Sequence, residues 1–131
     1  MGTWGSGSFE NDEASDFAYE FERDGLSALD AALSVARADD LDAPRGQRAI
    51  AAAELVAAAM GRPGELPPEI DINANPFVAR IAEGLADLRV MAIAAVDRVL
   101  AEKSELKDLW EEGDSAEWLA AVDDLRRRLL D

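Results

Sequence analysis

PFVARIAEGLADLRVMAIAAVDRVLAE, residues 76–102, is the stretch on which the architecture turns. Pro76 suits a first helical turn and Asn75 before it suits an N-cap. Val78, Ile81, Leu85, Leu88, Ala92, Val96 and Val99 then recur at steps of three and four, the spacing of one helix face. As a single helix the stretch would span about 40 Å, the longest element of the chain. Between Leu88 and Leu100 it is apolar nearly all round, so it is expected to form the centre of an all-α bundle. Gly84 within it costs about 1 kcal/mol relative to alanine and marks either a close helix crossing or a break.

Upstream, residues 61–75 (GRPGELPPEIDINAN) form the one long connection, with Pro63, Pro67 and Pro68 forbidding helix through most of it. Its acids Glu65, Glu69 and Asp71 are the candidate partner-binding residues. Asp71, Asn73 and Asn75 have the spacing of half a calcium loop, but Pro76 and Ala82 stand where glycine and glutamate are required, so that reading fails. Before the loop, Pro44 starts and Gly61 ends an alanine-built helix whose bulky apolar groups are Ile50, Leu55, Val56 and Met60. Earlier still, a capping box at Ser27 to Asp30 is expected to start a helix reaching Ala38, with Leu29, Leu33 and Ala36 inward. Downstream, a short helix over 105–112 carries Leu106, Leu109 and Trp110. A capping box from Asp114 to Glu117 precedes a last helix with Trp118, Val122, Leu125 and Leu129 inward. Arg126, Arg127 and Arg128 sit in its final turns, where positive charge suits the helix dipole or pairs with local carboxylates.

The opening residues, MGTWGSGSFENDEASDF, are of a different kind. Gly2, Gly5 and Gly7 permit a folded-back turn, and Trp4 and Phe9 are large apolar anchors expected to pack on the helices. Asn11 is an N-cap, with Asp12 and Glu13 in the first turn where the dipole favours them, and Ala14, Phe17, Ala18 and Phe21 make the packed face. This opening, with SELKDLW (104–110) and EWLAAVDDLRRRL (117–129), resembles the bacterial domain-of-unknown-function family 4259. Residues 39–75 carry no part of the resemblance. The resemblance implies a fold-sized unit without an established reaction.

The 131 residues suffice for one domain, spanning 1–131, with about six helices and a long central one. The chain has neither cysteine nor histidine, which excludes disulfides, Cys/His zinc sites and every nucleophile or base that depends on them. No basic stretch followed by an apolar run opens the chain, and 90–100 is short and broken by Asp97 and Arg98. Neither a signal peptide nor a membrane span is expected, and the location is expected to be cytoplasmic. The start Met-Gly-x-x-x-Ser fits the loose myristoylation pattern, a weaker reading than an unmodified bacterial protein. With 28 acidic residues against 13 Lys plus Arg, the formal charge is −15. Such a surface repels nucleic acid and anionic lipid and attracts basic proteins.

One enzymatic reading survives the missing residue types: a metal-dependent all-α nucleotide pyrophosphohydrolase, with Glu10 and Glu13, or Glu13 and Asp16, paired with Asp39 and Asp42 around magnesium. Helix starts and solvated faces explain the same acids, so no catalytic, metal or cofactor residue is assigned. Trp4, Trp110 and Trp118 are either core or the floor of a peptide groove, with core favoured. The expectation is a non-catalytic binding protein, immunity- or inhibitor-like, whose acidic surface meets a basic protein.

Overall fold

A computed structural model describes residues 11–62, 64, 80–81, 83–113 and 115–130. Among them are six α-helices: α1 (Asp12–Asp24), α2 (Leu26–Leu33), α3 (Ala43–Ala59), α4 (Leu85–Leu100), α5 (Glu105–Glu111) and α6 (Ala116–Leu130). A 3-10 turn, Ser34–Arg37, follows α2, and no strand occurs among the described residues. The expected all-α bundle is therefore what the chain forms.

Helix α1 starts where Asn11, itself buried, accepts the Ala14 N–H on its side-chain oxygen at 2.8 Å. Ala14, Phe17, Ala18 and Phe21 are all buried, with the two phenylalanine rings 6.4 Å apart. Gly25 ends the helix at φ +63°, returning its N–H to Phe21. The same residue opens α2, so the expected capping box at Ser27 is not used: no side chain caps this helix. The tail of α2 also departs from expectation. From Ser34 the chain tightens to 3-10 winding, the Ser34 hydroxyl donating to the Ala31 carbonyl, and the inward position becomes Val35 while Ala36 is only half-buried.

The long central helix is α3. Asp42 caps it by accepting the Arg45 N–H at 2.9 Å, with proline in its first turn. It closes in a Schellman pattern: the Gly61 N–H bonds Ala58 and the Arg62 N–H bonds Ala57, with Gly61 at φ +83°. From Ala49 to Ala58 every residue is buried. Alanine is the cause, since its small side chain lets α1, α2, α4, α5 and α6 all pack on one rod. At Gly46 the approach is closest, where an added Cβ would meet the Leu106 Cβ of α5 at 3.2 Å.

The expected helix over 76–102 is interrupted. Residues 80, 81 and 83 are helical, Gly84 is a turn, and α4 begins at Leu85. Its face Ala92, Ala95, Val96 and Val99 is buried against α3, while Val90 on the opposite side is 68% exposed. The centre of the bundle thus passes from α4, where the sequence suggests it, to α3. On α6, Trp118, Val122, Leu125 and Leu129 are inward as expected.

Long-range polar ties lock the connections. Leu41 and Ser104 form an isolated parallel bridge, the Leu41 N–H donating to Lys103 and the Glu105 N–H to Leu41. Arg98 gathers four carbonyls there, those of Ala38, Asp39, Glu102 and Lys103, all within 3.2 Å. Arg89 of α4 caps the end of α6 by donating to the carbonyls of Leu129 and Leu130.

Candidate functional site

Of the acids in the pyrophosphohydrolase reading, Glu13 and Asp42 have structural duties, and Asp16 is exposed. Glu13 accepts Arg48 of α3 at 3.1 Å, and Asp42 caps α3 while bridging Arg45 at 3.2 Å. At Asp39 the backbone carbonyl is what the structure uses, as a ligand for Arg98. Among the described residues, no group of three or more His, Cys, Asp or Glu is placed to hold a metal ion. Glu10, the loop acids Glu65, Glu69 and Asp71, and the anchors Trp4, Gly5 and Phe9 lie outside the described residues. Asn11 caps α1, and Asp12 stands exposed in its first turn.

The other two tryptophans meet each other. Trp118 is buried and Trp110 half-buried, their rings nearly parallel at 9° and 5.9 Å apart. Trp118 belongs to the core and Trp110 packs against it.

Most of the described cations have partners within the chain. Arg48 joins α3 to α1 through Glu13 and Glu20, and Arg126 joins α6 to α4 through Asp97 at 2.6 Å. Arg127 and Lys107 pair one turn away along their own helices. Arg128 does both: it reaches Asp124 one turn back and Glu54 of α3 bidentately, at 2.6 and 3.1 Å. Among the described residues Glu54 is the buried carboxylate, 1% exposed, and Gly64 lies so close that a Cβ there would strike its Oε1. Arg62 and Arg128 exchange bonds to each other's carbonyls, tying the exit of α3 to α6. Burial pulls the Arg128 guanidinium down, but Glu54 and then Asp124 outweigh it and hold it above its ordinary value. For Arg48 the hydrogen bond it donates to Glu20 leads, overcoming burial with help from Glu13, in the same upward direction.

A surface with carboxylates in excess is left. On the outer side of α4, Glu83 and Asp87 are exposed on the side of Val90. Sequence reasoning overlooked Glu54, although a lone charge inside AAAELVAAAM signals a buried pair.

One cavity of about 310 Å³ opens between α1, α2 and the start of α3. Glu20, Asp24 and the edge of Phe17 line the α1 side, and Arg45 and Arg48 the α3 side. Its floor is apolar, from Ala28 through Ala31 and Ala32 to Val35.

No helix among the described residues is long and apolar enough to cross a membrane. Comparison with curated proteins and with solved structures returns no match. Residues 2–121 match a family model described as a domain of unknown function (DUF4259), a span that includes residues 39–75 and runs from the glycine-rich opening into α6. The chain belongs to the DUF4259 family.

Proposed function

We propose that the protein is a non-catalytic binding protein of the cytoplasm that covers a basic surface on another protein, in the manner of an inhibitor or immunity protein. The carrying observation is the disposition of charge: 28 acids face 13 cations, and most of the described arginines, Arg48, Arg126 and Arg128 among them, already hold partners within the chain. The carboxylates left over have no such duty, and a field of one sign steers an oppositely charged partner into contact. The contact we assign comprises the loop acids Glu65, Glu69 and Asp71 and the outer side of α4, where Glu83 and Asp87 lie on the side of the exposed Val90. An apolar residue beside free carboxylates suits a basic surface with an apolar centre.

The test is affinity capture from the source cell at low salt, followed by elution with salt and identification. Recovery of a specific protein of high isoelectric point, displaced by salt and not by a nucleotide, supports the reading. Failure to recover any basic protein overturns it.

A further inference from the structure

The cavity between α1, α2 and α3 has unused hydrogen-bonding capacity of both signs. Glu20 gives one oxygen to Arg48 at 2.7 Å, leaving Oε1 without a protein partner among the described residues. Arg48 spends Nε and Nη1 on Glu13 and Glu20, and its Nη2 donates to no described residue. Arg45 spends Nε on Asp42 and Nη2 on the Asp40 carbonyl, leaving Nη1. Asp24 is held only by its exposed neighbour Arg23, a surface pair that exchanges readily with another cation. Acceptors thus project from α1 and donors from α3, across a floor of alanine and valine.

That arrangement defines a ligand by its chemistry. The two carboxylates and two guanidiniums sum to zero, so neither a simple anion nor a simple cation matches the whole site. A volume of about 310 Å³ stands at the small end of ligand pockets, which run to roughly 1,000 Å³, and limits the occupant to a few heavy atoms. We propose that this cavity binds a small zwitterion, an α-amino acid with an aliphatic side chain. Its carboxylate lies on the free N–H groups of Arg45 and Arg48, its ammonium on Glu20 Oε1 and Asp24, and its side chain on the floor from Ala28 to Val35. The site is separate from the acidic contact surface and stands or falls independently of it.

The test is a titration of isotope-labelled full-length protein with L-leucine, followed by amide shifts, beside 4-methylpentanoate and isoamylamine, which each lack one charge. Leucine is expected to shift the amides of Asp24, Ser27 and Arg45 saturably. Each single-charge analogue should bind at least about tenfold more weakly, the loss of one charge-assisted hydrogen bond. Arg45→Gln and Asp24→Asn, both in exposed ion pairs, should keep the wild-type melting temperature and lose about the same factor. Absence of saturable shifts into the millimolar range overturns the proposal. So does 4-methylpentanoate or isoamylamine binding as well as leucine, or an Arg45→Gln protein that binds normally.

Discussion

Replacing Arg128 by methionine removes the guanidinium that holds Glu54 while keeping most of its apolar stem. Glu54 is 1% exposed, and Gly64 lies against its carboxylate. Breaking a buried pair from one end costs about 3–5 kcal/mol, because the remaining charge stays desolvated. With an unfolding entropy of about 2.1 cal/mol/K per residue, 131 residues convert that loss to a fall in Tm of about 10–18 °C. The second arm is Glu54→Leu combined with Arg128→Met. Removing both charges leaves an apolar contact, and the double variant should recover to within about 1–2 kcal/mol of wild type or exceed it. Calorimetry on the wild type, both single variants and the double variant gives the coupling directly. Single and double variants falling by the same amount would refute the reasoning, since the pair would then be acting through packing alone.

Two glycines should respond in opposite senses. Gly46→Ala drives a Cβ to 3.2 Å from the Leu106 Cβ and should lower stability by about 1–3 kcal/mol despite alanine's better helix propensity; Gly84→Ala, with no side chain nearer than 3.9 Å, should raise it by about 0.4–1 kcal/mol, both read by denaturant unfolding. Arg98→Met frees the four carbonyls of the 38–41 and 101–105 connections and should cost about 2 kcal/mol, with amide exchange accelerated at Leu41 and Glu105. Arg48 and Arg128 are held above their ordinary value, so what they contribute is fully present below that value and is lost only as pH rises through the still higher folded value. With neither histidine nor cysteine in the chain, Tm should therefore stay level between about pH 6 and 9, and a step in that window would contradict the assignment.

Where a feature depends on neighbours in sequence, it could be read. Asn11 before Asp12 and Glu13 marks the start of α1, Phe17 and Phe21 mark its face, and Gly25 and Gly61 mark stops because a positive φ favours glycine. The errors arise where distant contacts decide. The apolar girth of residues 88–100 suggests a centre, yet centrality goes to the alanine-rich α3, because five neighbours can close around a thin rod and not around a thick one. Gly84 carries both of its readings in the sequence, and only the tertiary structure selects the break. The α2 tail rotates by one position because 3-10 winding has three residues per turn, a choice no spacing rule anticipates. Of the candidate site, Arg45 and Arg48 come to face Glu20 and Asp24 only through the packing of α3 on α1 and α2, while Glu54 was visible as a charge without a wet side.

Basic-partner binding by an acidic surface is tested most directly by stopped-flow association with the captured partner across a salt series, using wild type and a Glu69→Lys, Asp71→Lys, Asp87→Lys variant. The association rate is expected to fall steeply with salt while dissociation changes little, and the variant to associate more slowly at low salt with an unchanged Tm. An association rate indifferent to salt, or a charge-reversed variant that associates as fast as wild type, would contradict it.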